Sequence, residues 1–435
     1  MTYNRRQIIK GTAAVAGMVA ASSTLDWARA WAQEQPFQPE KGAKLRFLRW
    51  NKFLDAEEKA TTDNIEAFIK ATGVDVKIDN VWQDDVQTKA AVAANVGKGP
   101  DIVWALHTTP HLFPEKLLDV SDVADYVGKK YGGWYPMIEQ YGKSGRRWVG
   151  IPNVVIGVLP VYRMSWLKEA GFNEFPKTTD DFLKAAQALK KINHPMGFCF
   201  GKAPNDGNTF NHWLLWAFGG KVVDESNHPA INSPQTIQAL EYARALHDAF
   251  IPGTVSWNDA SNNKAFLAGE ISATNNAVSV YGKALADKME MASDINHAMW
   301  PVGPTGTPAE MHLVYPLITF GYTKYPNAAK AFIAYMFEKA QYERLLEGSA
   351  GYVSQVLKGY ENNPVWAKDP KVSIFRDVAA RGRPVSYAGT LGYASAAVLS
   401  DFVVCDMFSE VITGSSSPKD AAAKAEKRVE RYYKI

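Results

Sequence analysis

The stretch that decides the fold runs from Leu45 to Trp104. LRFLRW at Leu45–Trp50 is a short apolar-rich strand, and EEKATTDNIEAFIKAT at Glu57–Thr72 reads as a helix stopped by Gly73. VDVKI at Val74–Ile78 alternates as the next strand does. DDVQTKAAVAANV at Asp84–Val96 is a second helix, closed by Gly97 and Gly99, and DIVW at Asp101–Trp104 is a third strand. Strand and helix alternating at this spacing predict right-handed crossover units on a largely parallel sheet, hence an α/β protein.

The rest of the chain fits that class. It has 435 residues, 46% apolar and 21% charged, with 32 Gly and 23 Pro. This is a soluble globular composition and excludes a disordered, collagen-like or multi-span membrane protein. Thr178-Thr179-Asp180 predicts a capped helix ending at Asn193-His194-Pro195, with Phe182, Ala186 and Leu189 on its apolar face. Ser233-Pro234 and Ser417-Pro418 each place a capping hydroxyl before a proline at the first helical position. Their stripes, Ile237, Leu240, Ala243 and Leu246, then Ala422, Ala425, Val429 and Tyr432, are core faces.

The first 32 residues read as an export signal. Asn4-Arg5-Arg6-Gln7 precedes a weakly apolar Gly11–Ser23 segment, and Ala28-Arg29-Ala30-Trp31-Ala32 offers cleavage near Ala30 or Ala32. The paired arginines suggest the twin-arginine machinery and a soluble periplasmic product. Arg5, Arg6, Lys10 and Arg29 against Asp26 account for the whole formal charge of +3, so the mature body is neutral and nothing points to nucleic acid. Cys199 and Cys405 read as two buried thiols, with pairing left open. The chain contains no CxxC, HExxH, GxSxG, P-loop or GxGxxG sequence, so no metal, cofactor or catalytic residue is expected.

Further along, several short motifs follow one another in a familiar order. They are Gly99-Pro100-Asp101, Trp148-Val149-Gly150-Ile151-Pro152, Val161-Tyr162-Arg163, Leu167-Lys168-Glu169-Ala170-Gly171-Phe172, and Pro176-Lys177-Thr178-Thr179. Phe218-Gly219-Gly220, Ile231-Asn232-Ser233-Pro234, Ala265-Phe266-Leu267-Ala268-Gly269-Glu270, and Asn327-Ala328-Ala329-Lys330-Ala331-Phe332 continue the series. Together the chain resembles the family 1 extracellular solute-binding proteins of ABC importers, the maltose-binding-protein-like group. The resemblance implies a type II two-lobe α/β fold with a ligand cleft between lobes joined by hinge crossovers. Carried onto this sequence, lobe I comprises residues 36–155 and 298–352, and lobe II comprises residues 156–297 and 353–435. The crossovers fall near Val154–Gly157, Asn296–Trp300 and Gly351–Gln355. It further implies a monomer that captures a small solute and hands it to membrane permease subunits, with no chemistry of its own.

A sugar is apolar on its ring faces and polar at its rim, so its site needs flat aromatics and short hydrogen-bonding side chains. Strand ends supply both: Trp50-Asn51, Trp82 before a helix, His107 and Thr108 beyond Trp104, and Asn275-Asn276. Asn153 at the first crossover, Trp257, His312 and Tyr315 lie where relatives present residues to the cleft. Tyr393 matches by position an aromatic that stacks on sugar in that group. Trp104 itself reads as core and Arg383 as solvent-facing. Val278 and Ile156 stand near positions where the maltose-binding members carry a stacking Trp and a cleft carboxylate, so a maltodextrin site is not expected. The expected ligand is another mono- or oligosaccharide or a sugar derivative. Competing readings are a polyamine, phosphodiester or peptide in the same fold, and an exported carbohydrate-active enzyme, for which only Asp84 and Asp259 stand among the candidate segments as acids.

Overall fold

The computed structural model describes residues 30–434 apart from Phe53. The expected export signal lies on residues 1–29, outside the described residues. The expected cleavage points, Ala30 and Ala32, flank Trp31, which is buried edge-on against Tyr335 at 4.8 Å.

Eight strands carry the architecture. In chain order they are β1 (Lys44–Trp50), β2 (Asp75–Val81), β3 (Ile102–Trp104), β4 (Ile151–Ile156), β5 (Leu159–Arg163), β6 (Ala273–Asn276), β7 (Ile295–His297) and β8 (Leu313–Thr319). The first lobe is a five-stranded sheet in the order β2-β1-β3-β8-β4. The first three pair in parallel, with Leu45 opposite Val76 and Phe47 opposite Ile102, as the opening stretch predicts. Helices Asp55–Thr72 and Gln83–Val96 make the crossovers. Each ends on a left-handed glycine, Gly73 (φ 74°) and Gly97 (φ 68°), whose N–H caps a free carbonyl.

The expectation of a largely parallel sheet holds only that far. Strand β8 runs antiparallel to both β3 and β4, and the second lobe is an antiparallel sheet in the order β6-β5-β7. Pairing between segments more than a hundred positions apart, such as β3 with β8, leaves no trace in the local pattern that sets a crossover unit. The second lobe gains its bulk from helices. The Asp206–Ala217 helix is buried along its whole length; the Pro234–His247 and Val403–Ile412 helices pack on it, and the Pro418–Tyr432 helix packs on those two. Its core is aromatic: Trp213 stacks on Trp300 at 4.6 Å and meets Phe182 edge-on at 5.7 Å. The three expected helix caps form, with Thr178, Ser233 and Ser417 accepting the N–H of Asp181, Thr236 and Asp420.

The chain passes from one sheet to the other over Gly157-Val158, between β4 and β5, and returns between His297 and Leu313. The passes are tied together. His312 Nδ1 accepts the Val158 N–H at 3.2 Å, and Trp300 Nε1 donates to the Val158 carbonyl at 2.9 Å. Ser354 pairs with Val155 through both backbone bonds where the chain approaches β4 again. No helix among the described residues is long and apolar enough to cross a membrane.

Candidate functional site

Between the two sheets lies a narrow cavity of about 40 Å³. The first lobe and the crossing segments give it Gln83, Ile156, Val158, Leu313, Tyr315 and Tyr352. The second lobe gives it Asn205, Asp206, Asp259, Asn263, Asn276 and Ser279.

The first-lobe wall is an aromatic stack. Trp50 ends β1, Trp104 ends β3 and Tyr315 lies on β8, and the Trp50 ring meets those of Trp104 and Tyr315 at 4.5 Å and 4.6 Å. Strand ends on neighbouring strands bring large side chains to one edge of the sheet, as expected for such sheets. Beneath them the Arg49 guanidinium lies 5.1 Å from the Trp104 ring centre and forms a buried ion pair with Glu57 at 2.8 Å, which also accepts from Thr61. Only Tyr315 of the three aromatics lines the cavity.

The second-lobe wall is a polar network at the start of the Asp206–Ala217 helix. Asp259 accepts from the Asp206 N–H at 2.9 Å, from the Asn205 N–H at 3.2 Å and from Asn205 Nδ2 at 2.9 Å. A carboxylate at a helix N-terminus satisfies its unpaired N–H groups and sits favourably in the helix dipole. Asp206 takes Asn262 Nδ2 at 2.9 Å. Burial, then the charge of Asp259, pushes the Asp206 carboxyl well above its ordinary range. Asn276 bonds Asn263 and accepts from Ser279 Oγ at 2.6 Å.

Asn205 joins the two walls. Its Oδ1 accepts from His107 Nε2 at 2.8 Å and from the Tyr315 hydroxyl at 3.2 Å, both of the first lobe. The Tyr315 hydroxyl in turn accepts from Gln83 Nε2 at 2.8 Å. His107 reaches across from a backbone at φ 28°, and burial pushes its imidazole down to about 4, so the neutral ring donates through Nε2. A further bond between the lobes runs from Gln87 Nε2 to Ser400 Oγ at 3.0 Å.

The residues picked out by sequence fall into distinct places. Tyr315 and Asn276 line the cavity, and His107 adjoins it through Asn205. Trp50 is buried behind Tyr315, Thr108 is buried at the end of the β3 loop, and Asn51 is half-buried with its N–H on Val81. Asn275 faces away from the cavity, as side chains alternate along a strand, and donates to the Asp206 carbonyl and to Thr209. Asn153 lies in the interior of the first lobe beside Trp104 and Phe332. His312 is committed to the crossing segment, with Nε2 on Glu310 at 2.7 Å. Trp257 lies against the second-lobe interior, where a Cβ on Gly197 would come within 2.5 Å of its ring. Trp82 is 73% exposed and Tyr393 59% exposed, and neither lines the cavity. The sequence offers Gln83 only as part of the Trp82-Gln83-Asp84 segment, and does not single out Asn205, Asp206, Asn263, Ser279 or Tyr352. The turn-and-helix signature Pro204-Asn205-Asp206-Gly207 was the signal available for two of them. Cys199 and Cys405 are free, buried thiols, and the described residues hold no cluster of metal-ligating side chains.

Two α/β lobes joined by crossing segments, with a polar cavity between them, define a solute-binding architecture. The chain belongs to the bacterial extracellular solute-binding protein family, whose model matches residues 64–374. The resemblance stated from the sequence is borne out at that level. A Deinococcus radiodurans protein described as a probable ABC transporter-binding protein is 25% identical over 84% of this chain and 87% of its own. Among solved structures, a sugar transporter protein of Arthrobacter chlorophenolicus with bound laminaribiose matches with a TM-score of 0.77 at 18% identity, covering 90% of this chain and 99% of that one. The GacH receptor of Streptomyces glaucescens, solved unliganded and with acarbose, matches with a TM-score of 0.76 at 21% identity, over 91% and 99%.

Proposed function

We propose that this protein is the binding component of an ABC importer and captures a small carbohydrate between its lobes for delivery to a membrane permease. The observation that carries the reading is the cavity wall, where carboxamides, carboxyls and hydroxyls from both lobes converge on one space. Such groups match the alternating donors and acceptors of a polyhydroxyl solute. No Lys, Arg or His lines it among the described residues, which disfavours phosphodiesters and sugar acids. The description of the D. radiodurans relative and the ligands of the two structural relatives support transport and sugar.

The proposal extends to the finer features read from sequence. The protein is exported by the twin-arginine route, is cleaved near Ala30 or Ala32, acts in the periplasm as a monomer and catalyses nothing. Lobe I is residues 36–155 with 298–352, and lobe II is residues 156–297 with 353–435. Asp206 and Asp259 both belong to the second lobe and share one network, an arrangement that suits recognition better than two carboxyls placed across a scissile bond. Gln83, Asn205, Asp206, Asn276 and Tyr315 are the contacts assigned to the solute.

Thermal unfolding against sugars, polyols, sugar acids, polyamines and phosphodiesters tests the reading. A ligand at about a hundred times its Kd adds roughly 2.7 kcal/mol to stability. A raised midpoint confined to sugars or polyols is the expected result, and one confined to a charged class overturns it.

A further inference from the structure

The cavity wall is one-sided in its chemistry. Gln83 is 8% exposed; its Nε2 is held by Tyr315, and its Oε1 has no hydrogen-bond partner among the described residues. Facing it, Asp206 is 6% exposed and receives only Asn262 on its carboxyl among the described residues. A buried amide oxygen without a donor is a free-energy penalty that a solute hydroxyl removes. Acceptors therefore stand ready on both lobes for a solute that donates hydrogen bonds along both of its edges.

The wall offers little to a flat ring. A pyranose needs an aromatic face to cover its apolar side. Tyr315 has Trp50 at 4.6 Å and His107 at 5.3 Å against its ring. Trp50 and Trp104 are buried behind it, and the exposed Trp82 and Tyr393 stand outside the wall. Tyr352, the remaining lining aromatic, is 6% exposed. Carboxamides take the place of a platform.

We propose that the cavity takes an acyclic polyol, a sugar alcohol, in preference to the closed sugar ring, with Gln83 Oε1 and the Asp206 carboxyl accepting its hydroxyls from opposite lobes. An open chain carries a hydroxyl on nearly every carbon and can bend to meet scattered acceptors, with no broad apolar face to be covered. The inference rests on the carbohydrate reading above and narrows it.

Calorimetric titration of the mature protein, unfolded and refolded to strip bound solute, decides the matter with matched pairs: ribitol and ribose, mannitol and mannose, glucitol and glucose. At least one alditol should bind about tenfold or more tightly than its aldose. Gln83→Met and Asp206→Asn should each weaken that binding about tenfold or more, with the circular dichroism unchanged. Gln83→Ala, which removes the same acceptor, serves if the Met variant does not fold. An aldose bound as tightly as its alditol overturns the acyclic assignment and leaves the carbohydrate reading standing. Binding of spermidine or a phosphodiester with no sugar or alditol bound overturns both. Unchanged affinity in both variants removes Gln83 and Asp206 from the site.

Discussion

The wall that the first lobe brings to the cavity and the wall that the second lobe brings are built by different means. The first is aromatic and packed: Trp50 braces Trp104 and Tyr315 on strand ends, over the buried pair of Arg49 and Glu57. The second is amide and carboxyl: Asn205, Asp206, Asp259 and Asn262 hold one another at the start of a buried helix. Packing fixes the first wall, so it serves as a rigid backing. Directional hydrogen bonds fix the second, and such bonds leave acceptors at defined positions for a solute. One side chain, Asn205, belongs to both.

Acid should have the largest effect and should strike both lobes alike. Burial holds His107 and His111 on the first lobe, and His212 and His297 on the second, at about 4, against an ordinary 6.5. The unfolded chain binds more protons than the folded one across that window, so stability rises with pH through it and is lost as pH falls. Unfolding free energies from denaturant titrations between about pH 7 and about pH 5 should fall by several kcal/mol in total as pH drops. A loss confined to one lobe would break the symmetry claimed for the two.

The next effect separates the lobes. Glu57→Ala leaves Arg49 buried and uncompensated, and should cost the first lobe about 3–5 kcal/mol in urea unfolding. Asn205→Ala should be milder, about 1–3 kcal/mol, because it removes the bonds from His107 and Tyr315 and the Nδ2 bond to Asp259. Its signature is a larger radius of gyration by small-angle scattering, with each lobe's secondary structure intact. The smallest effect has the opposite sign. A carboxyl whose folded-state pKa is raised binds more protons folded than unfolded, so Asp206 weakens the protein as pH climbs above its ordinary 3.8. Asp206→Asn should therefore be more stable than wild type at neutral pH, and the gain should vanish in acid. A site carboxyl that lowers stability is a common trade against function.

What could be read in advance followed the range over which each feature is encoded. Strands β1 to β3, their helices and the caps at Thr178, Ser233 and Ser417 rest on contacts within a few turns of chain, and periodicity reports those. The antiparallel return of β8 and the short strands of the second lobe depend on distant partners. The site divides the same way. Tyr315 and Asn276 end up on the cavity because strand ends gather there. Trp82 and Gln83 differ by one position, and that step at a helix start turns the Trp to solvent and the Gln inward. Asn205 and Asp206 have the residue types of an ordinary helix entry, and only the approach of Asp259 and Tyr315 gives them a task.

The bonds from His107 and Tyr315 to Asn205 run from protein to protein, so they favour the shut arrangement whatever the cavity holds. Part of the closing energy is thus indifferent to cargo, and a solute can bias the hinge only by what it adds beyond that share. A membrane complex that judged its carrier by outline alone would be open to false deliveries. Telling a full carrier from an empty one then becomes a matter of dwell time, of how long the lobes stay together rather than whether they meet.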